Sequence, residues 1–336
     1  MSDGVRRERY DGDTVATVDA VVVENLQKSY GTTRAVAGVS FTVRYGEIFS
    51  LLGPNGAGKT TVLEILEGYR HADQGQVMVA GFDPGDRRTG RQLREQIGLV
   101  LQELAVEPYL TVRESISRNA GYYPNPRDVG EVIGLVGLTG KEKSKVKSLS
   151  GGQKRRLDLA LGIIGNPRVL FLDEPTTGFD PSARRGAWEV IRELSGLGTT
   201  ILLTTHYMDE AQELAERVAV ISRGKIIEEG TPATLGGRDL ARARISFALP
   251  GGYAAADLPV PAADGENGRL VVEADEPTEV LHRLTGWALD HGTTLPGLTV
   301  DRPSLEDIYL SLTAASSAAT SAEDAPAPRR RMGRRG

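Results

Sequence analysis

The chain has 336 residues, of which 40% are hydrophobic and 25% charged, and none is cysteine, which excludes disulfides, thiolate metal sites and a cysteine nucleophile. With 40 basic and 45 acidic residues the net charge is −5. Five of the basic residues are arginines within the last eight positions, so the remainder carries −10, and such an acidic body argues against nucleic-acid binding.

The first residues predict a tail rather than a targeting segment. Residues 1–19 are polar and aperiodic, with no apolar stretch of the kind a secretory signal contains. No apolar run farther along approaches the roughly 20 residues that span a bilayer. We therefore expect a protein that is soluble or bound peripherally to a membrane partner.

The next segments predict a small antiparallel unit followed by a strand, a loop and a helix. From Ala20 to a turn at Gly46-Glu47 the chain alternates between apolar and polar residues, as in an antiparallel sheet. The apolar run Ile48–Leu52 then predicts a buried strand. After a glycine-rich loop, apolar residues at helical spacing predict a helix over Thr61–Leu66.

Short apolar runs alternate with helical patterns through the middle of the chain. The predicted strands are Ile97–Leu101, Val169–Leu172, Thr199–Thr204 and Val218–Ile221, and a helix is predicted over Ala183–Leu194. This alternation indicates an α/β core with a parallel sheet. The stretch between about 105 and 165 lacks strand patterns and is predicted to form a helical lobe.

The composition changes near Gly236-Gly237, and we predict a domain boundary there. The predicted division is a disordered tail over 1–19, a main domain over 20–237, an accessory domain over 238–313 and a disordered tail with a basic end over 314–336. The accessory domain is expected to be α+β. Its predicted elements are strands Ile245–Leu249 and Leu270–Val272, helix Thr278–Asp290 and a helix over Ser304–Leu312 capped by Ser304.

The loop after the first buried strand has the pattern that binds phosphate. The sequence Gly53-Pro54-Asn55-Gly56-Ala57-Gly58-Lys59-Thr60 fits G-x-x-x-x-G-K-[ST] between a strand and a helix. Glycines allow backbone N–H groups to turn towards phosphate oxygens, and the positive end of the helix adds to their attraction. We predict that these residues and Thr61 bind nucleotide, with Lys59 at the β- and γ-phosphates and Thr60 on Mg²⁺.

Two acidic residues end the strand predicted at Val169–Leu172. Asp173 would lie beside the phosphate loop and hold Mg²⁺ directly or through water, and Glu174 would act as the general base for an attacking water. The alternative is a solvated acidic turn at a strand end, which is common. The phosphate loop favours the metal and the base.

Three further residues are candidates with ordinary alternatives. His206 ends another apolar strand and would contact the γ-phosphate, unless it is a packed or capping histidine. Gln102 follows the strand Ile97–Leu101 and would reach Mg²⁺ or the attacking water, although a glutamine at a strand end is usually uninformative. Tyr30 would stack on a base, or it is simply a tyrosine at a turn.

The segment Leu149-Ser150-Gly151-Gly152-Gln153, here called the signature, opens a predicted helix and suits a second anion site. With this segment the chain resembles the ATP-binding cassette (ABC) ATPases from about Ala20 to Leu235. All the family motifs follow in order: A-loop Tyr30, Walker A Gly53–Thr60, Q-loop Gln102, the signature, Walker B Asp173 and Glu174, D-loop Thr177–Asp180 and switch His206. Phe179 stands where the family usually has leucine.

The resemblance implies a P-loop NTPase cassette with a RecA-like core, an antiparallel β-subdomain and a helical lobe. It further implies ATP and Mg²⁺ as cofactors and a head-to-tail dimer, a homodimer or one with a non-identical ATPase. Each ATP would lie between one Walker A loop and the partner's signature. On this basis Ser150, Gly151, Gly152, Gln153 and Asp180 are added to the nucleotide contacts, and Tyr30, Gln102 and His206 become expected contacts.

The region after the cassette resembles the ATPases of daunorubicin/doxorubicin-type drug exporters. The motif over residues 302–313, Arg-Pro-Ser-Leu-Glu-Asp-Ile-Tyr-Leu-Ser-Leu-Thr, carries this resemblance. It implies an ATPase at the cytoplasmic face of the membrane. This ATPase would power export of a hydrophobic compound through a separate multi-span permease. The alternatives are an exporter of lipid or polysaccharide and a soluble ABC ATPase in resistance or regulation.

Overall fold

The computed structural model of the chain describes residues 19–100, 106–237, 242–265, 268–310 and 312–313. The two predicted tails lie outside these ranges, apart from Asp19. The strands, in chain order, are β1 (Asp19–Tyr30), β2 (Thr33–Arg44), β3 (Ile48–Leu52), β4 (Gln74–Val79), β5 (Ile97–Val100), β6 (Val169–Asp173), β7 (Thr200–Thr205), β8 (Arg217–Ser222), β9 (Lys225–Gly230), β10 (Ala243–Ala248), β11 (Ala263–Asp264), β12 (Arg269–Ala274) and β13 (Thr299–Asp301). The α-helices are α1 (Lys59–Leu66), α2 (Gly90–Gln96), α3 (Val112–Ala120), α4 (Val129–Leu135), α5 (Gly151–Ile163), α6 (Pro181–Gly196), α7 (Met208–Leu214), α8 (Pro277–Asp290) and α9 over 305–310.

The main sheet has the strand order β5-β6-β7-β3-β8-β9. Its first five strands are parallel, and β9 pairs with β8 in the antiparallel sense. Every residue of β3, β6 and β7 is buried, as expected for strands covered on both faces. Because β7 lies between β3 and β6, the loops that follow these three strands emerge side by side at one edge of the sheet. The predicted α/β fold with a parallel sheet is confirmed.

A three-stranded antiparallel sheet, in the order β2-β1-β4, packs beside the main sheet. Its apolar side chains join those of β3 and α1 in one cluster, in which the rings of Phe41 and Phe49 stack at 5.1 Å. The prediction of an antiparallel unit from Ala20 onward holds for β1 and β2. The third strand, β4, comes from after α1, and its mostly polar sequence does not predict it.

Helices α3, α4 and α5 form a lobe between β5 and β6 in the chain, where a helical stretch is predicted. Thr111 caps α3 in a capping box with Glu114, and Asp128 caps α4. The apolar side of the lobe joins the cluster that also contains Leu170 and Leu172 of β6. The lobe is therefore packed onto the main sheet through a continuous apolar contact.

The region after the main sheet forms a four-stranded antiparallel sheet in the order β11-β12-β10-β13. Helix α8 packs on one face of it. The buried cluster between sheet and helix contains Ile245, Phe247, Leu270, Val272 and Leu284. This part of the chain is therefore an α+β unit with a small core of its own.

Helix α9 returns to the main sheet. Ser304 caps it by accepting from the Asp307 N–H, while the Asp307 carboxylate accepts from the Ser304 N–H and hydroxyl. Leu305 and Tyr309 are buried in a cluster with Leu52, Val218 and Val220 of the main sheet. Within the described residues, no helix is long and apolar enough to cross a membrane.

The packing of α9 predicts a large stability effect for one leucine and a small one for its neighbour. Leu305 is 1% exposed and Leu310 is 56% exposed. Leu305→Ala is expected to lower the free energy of unfolding by about 2–5 kcal/mol, since it leaves a cavity between α9 and the sheet. Leu310→Ala should change it by about 0.5 kcal/mol or less. Urea unfolding measures both, and equal effects would contradict the docking of α9.

Candidate functional site

The loop between β3 and α1 is packed so closely that two of its positions require glycine. A Cβ on Gly53 would lie 2.3 Å from the Ile221 carbonyl oxygen, and one on Gly58 would lie 2.4 Å from that of Ala35. Gly58 also has φ +106°, in the left-handed region. The glycines therefore let the loop approach the backbone of neighbouring strands.

Lys59, the first residue of α1, is folded back under this loop. Its ammonium donates to the carbonyl oxygens of Gly53 at 2.8 Å and Pro54 at 3.1 Å and lies 3.4 Å from Glu174 Oε1. The side chain is 4% exposed. Burial lowers the pKa of Lys59, although the carboxylates of Glu174 and Asp173 oppose this effect. The ammonium is thus held at the loop with acidic neighbours.

Asp173, the last residue of β6, faces Thr60 across the end of β7. Its Oδ2 lies 3.5 Å from the Thr60 hydroxyl, and its Oδ1 accepts a short hydrogen bond from the hydroxyl of Thr204, its register partner on β7. A hydroxyl and a carboxylate are the hard oxygen ligands that Mg²⁺ prefers. Among the described residues no cluster of three or more His, Cys, Asp or Glu could hold a metal alone. Mg²⁺ here would therefore take its other ligands from phosphate and water.

Glu174 has a backbone conformation that few residues other than glycine adopt, with φ +46°. Its N–H donates to the Thr204 carbonyl oxygen at 3.1 Å, which holds the turn against β7. Partial burial raises the pKa of Glu174, but the contacts with His206 and Lys59 outweigh it, and the net pKa is below the ordinary value. The carboxylate is therefore ionised at neutral pH, as a proton acceptor must be.

His206 follows β7 and lies directly beside Glu174. Its Nδ1 lies 3.2 Å from Glu174 Oε1, within the range of an ion pair. The orientation of the ring does not meet the geometry of a hydrogen bond. The ring also packs at 4.1 Å on that of Tyr207. The strand order explains the contact, because β7 lies between the strand of the phosphate loop and the strand that ends in Asp173.

A cavity of about 430 Å³ lies over the phosphate loop and is lined by seven of the fifteen predicted nucleotide contacts. Tyr30, at the end of β1, forms one side, and Glu174 forms another. Its lining residues are Tyr30, Ala35, Asn55, Gly56, Gly58, Lys59, Thr60, Thr61 and Glu174. The Tyr30 ring also lies under the guanidinium of Arg70, at 5.4 Å. An aromatic face at one end and an ammonium with a hydroxyl at the other suit a nucleotide that carries phosphates.

Comparisons with known proteins agree with this geometry. The family described as "ABC transporter" matches residues 36–177, and a second, "ABC transporter domain-containing protein-like, C-terminal domain", matches residues 243–304. The chain is 40% identical to the Nod factor export ATP-binding protein I of Burkholderia thailandensis over 312 residues. These residues cover 89% of this chain and 98% of that protein. The chain belongs to the ATP-binding proteins of ABC transporters.

Two more comparisons extend this result. A daunorubicin resistance ATP-binding protein of Streptomyces coeruleorubidus is 38% identical over 320 residues, which cover 91% of this chain and 98% of the relative. The solved structure of cbiO1 from Clostridium perfringens, described as part of the ABC transporter complex cbiONQ, has a TM-score of 0.60 and 28% identity over 64% of this chain and 89% of that one. The ABC cassette fold and the relation to drug-resistance ATP-binding proteins are thereby confirmed.

The signature of this ABC protein lies away from the cavity of its own chain. Ser150 caps α5 by accepting from the Gln153 N–H at 3.3 Å, and Gln153 Oε1 accepts from the Ser150 N–H at 3.1 Å. Ser150 and Gly151 are exposed and Gly152 is half-buried. None of the four lines the cavity at Lys59. An exposed helix N-terminus of this kind presents its N–H groups to a group outside the chain.

Gly53, Pro54 and Ala57 belong to the loop but do not line the cavity, and two further predicted contacts lie outside this geometry. Gln102 falls on residues 101–105, which are outside the described residues. Asp180 does not line the cavity; it caps α6 by accepting from the Ser182 and Ala183 N–H groups, each at 2.9 Å. The predicted roles of Gln102 and Asp180 towards nucleotide, metal and partner chain stay predictions.

The structure shows two residues around the site that the motifs do not reveal. Thr204 holds both the Asp173 carboxylate and the Glu174 backbone. Arg155 contacts the turn after Asp173 from α5. A threonine inside an apolar strand and an arginine in a basic helix segment are common, so their sequence gives no signal. Register across the sheet and the packing of α5 are what bring them to the site.

Proposed function

We propose that this chain is the ATP-hydrolysing subunit of an ABC exporter that moves a hydrophobic, drug-like compound through a separate membrane permease. The observation that carries the ATPase assignment is the cavity that joins Tyr30, Lys59, Thr60 and Glu174. The names of the relatives in export and resistance support the transport role. Those names differ in cargo, which fits a subunit that supplies energy while the permease selects the compound.

Each residue of the cavity has a defined role in this proposal. Tyr30 stacks on the adenine ring, and Lys59 and the loop N–H groups bind the phosphates. Thr60 and Asp173 hold Mg²⁺, which neutralises phosphate charge when bound. Glu174 accepts the proton of the attacking water, and His206 orients Glu174 and the γ-phosphate. Gln102 is proposed to reach the metal or the water.

The ATP site of one chain is proposed to be completed by residues of a second chain. Ser150, Gly151, Gly152 and Gln153 would contact the γ-phosphate bound at the loop of the partner chain, with Asp180 beside the same interface. The support is that Ser150 and Gly151 are exposed and that none of the four residues lines the cavity of its own chain. Hydrolysis would then require a head-to-tail dimer, and the chain offers every part needed for a homodimer.

A groove in the helical lobe is proposed as the docking surface for the permease. It has a volume of about 530 Å³, and its lining combines apolar side chains with polar and charged ones: Val106, Glu107, Pro108, Leu110, Ser115, Arg118, Asn119, Tyr122 and Leu161. Tyr122 is 70% exposed. An exposed aromatic beside apolar side chains suits a protein partner, here a cytoplasmic segment of the permease. Such docking would place the ATPase at the cytoplasmic face of the membrane.

The docking proposal predicts a separation of transport from basal hydrolysis. Tyr122→Glu is expected to lower permease-stimulated ATPase and export by about tenfold, because it replaces the exposed ring of the groove with a charge. Basal ATPase should stay within about twofold of wild type. Tyr45→Glu is the control, since Tyr45 is also exposed but lies in the turn between β2 and β3. Reconstitution with the co-purified permease measures both activities. Loss of export with Tyr45→Glu as well would reject the groove as the docking surface.

Co-purification from solubilised membranes tests the transport role as a whole. A multi-span protein recovered with the tagged chain, whose export activity needs ATP, is the expected result. Recovery of ribosomes or nucleic acid in place of a membrane protein would support a soluble regulatory or resistance ATPase and overturn the proposal.

A further inference from the structure

Arg155 makes contacts that its position in the helix does not require. It lies on α5, five residues after Ser150, and its side chain is 10% exposed. Its Nε donates to the Pro175 carbonyl oxygen at 2.9 Å, and its Nη2 lies within hydrogen-bond distance of those of Asp173 and Glu174, at 3.3 and 3.5 Å. One guanidinium therefore faces three consecutive carbonyl groups of the turn that carries Glu174.

This turn needs support from its surroundings. Glu174 has φ +46°, a region that L side chains rarely adopt, so local preference does not hold the carboxylate in place. On one side the Thr204 backbone and hydroxyl accept from the Glu174 N–H. On the other side Arg155 supplies donors to the carbonyl oxygens. The turn is thus held between strand β7 and helix α5.

Asp158 fixes the direction of the guanidinium. Its Oδ2 accepts from Arg155 Nη1 at 2.7 Å, and both side chains are nearly buried, at 11% and 10% exposed. A planar guanidinium that is bound to a carboxylate on one edge presents its other donors in a fixed direction. Since Asp158 is one turn farther along the same helix, α5 itself sets where Arg155 points.

We propose that Arg155 is a positioning residue that fixes the turn of Glu174 to the signature helix of the same chain. The inference rests on the proposed function, in which the first turn of α5 touches the nucleotide of the partner chain. Binding of the partner's ATP at Ser150 would then change the position of Glu174 through α5 and Arg155. Each chain would set its own general base according to the nucleotide bound by the other.

The test is the kinetics of Arg155→Gln in the full-length chain. We expect kcat for ATP to fall about tenfold or more, since small displacements of a reacting group cost rates of this order. KM should stay within about threefold of wild type, because Arg155 does not line the cavity over the phosphate loop. The matched control is Arg217→Gln. Arg217 is also largely buried and paired with Glu47, but it opens β8 and donates to the Thr42 carbonyl oxygen of the antiparallel sheet. It should lower Tm with kcat unchanged.

One further variant and a mixed-dimer experiment separate positioning from general stability. Asp158→Asn keeps an oxygen that can accept from Arg155 Nη1, so it should reduce kcat less than Arg155→Gln. Mixed dimers test the direction of the effect: a Glu174→Gln chain paired with an Arg155→Gln chain should hydrolyse far less ATP than one paired with an Arg217→Gln chain. If Arg155 acted only on the partner's site, the two mixed dimers would be equally active.

Several results would overturn the inference. They are an unchanged kcat for Arg155→Gln, an equal loss for Asp158→Asn, and equal turnover in the two mixed dimers. Failure of the proposed function has a different outcome, because the wild-type chain would then show no ATP hydrolysis in any assembly. Hydrolysis by wild type with normal kcat in Arg155→Gln would reject only the role of Arg155.

Discussion

Replacing Glu174 by glutamine is expected to abolish ATP turnover while ATP remains bound. The amide cannot accept the proton of the attacking water, and loss of a general base typically costs about 10²–10⁴-fold in rate. Glutamine keeps the size of the side chain, so the turn at φ +46° and its hydrogen bond to Thr204 are preserved. Nucleotide affinity should therefore stay near the wild-type value, and ATP should accumulate in a closed dimer.

The same change also removes a charge next to Lys59 and His206. In the wild-type chain the Glu174 carboxylate lies 3.4 Å from the Lys59 ammonium and 3.2 Å from His206 Nδ1. The neutral amide leaves the ammonium free to turn towards phosphate, which favours tight ATP binding. Phosphate release measures turnover, and size-exclusion chromatography with ATP measures dimerisation. Glu189→Gln, on the exposed side of α6, is the control. Turnover above a tenth of wild type would exclude Glu174 as the base.

The order of the motifs predicts the strands around the site well. A buried strand before the loop, another before Asp173 and a third before His206 are each visible as apolar runs, and parallel strands bring their ends to one edge. What the sequence does not specify is which strand lies between which. The structure places β7 in the middle, and this order accounts for the contact of His206 with Glu174 and of Thr204 with Asp173.

The antiparallel strands and the last helix show the limits of pattern reasoning. The sequence of β4, Gln-Gly-Gln-Val-Met-Val, is half polar, and it becomes a strand because β1 offers it a free edge. Helix α9 is visible in the sequence, but an apolar stripe does not say which surface it covers. Leu305 and Tyr309 cover the main sheet, because Leu52, Val218 and Val220 offer a buried apolar surface there.

Replacing Lys59 by methionine is expected to remove most of the affinity for ATP. A hydrogen bond to a charged group contributes about 1.5–3 kcal/mol, so loss of the ammonium should weaken Kd about 10–150-fold. Methionine keeps an unbranched apolar stem in the space under the loop. Burial already disfavours the ammonium, as the lowered pKa of Lys59 shows, so its removal should cost the free protein little stability.

Binding of a non-hydrolysable ATP analogue, followed by calorimetry, separates the two effects of this substitution. Lys143→Met is the control, because Lys143 is an exposed lysine between α4 and α5 and does not line the cavity over the loop. An unchanged Kd for Lys59→Met would contradict the phosphate contact. A fall in Tm as large as that of Leu305→Ala would show that Lys59 holds the loop together through Gly53 and Pro54, and that the loss of affinity follows from a disordered loop. The affinity loss with an unchanged Tm is the result expected of a phosphate-binding lysine.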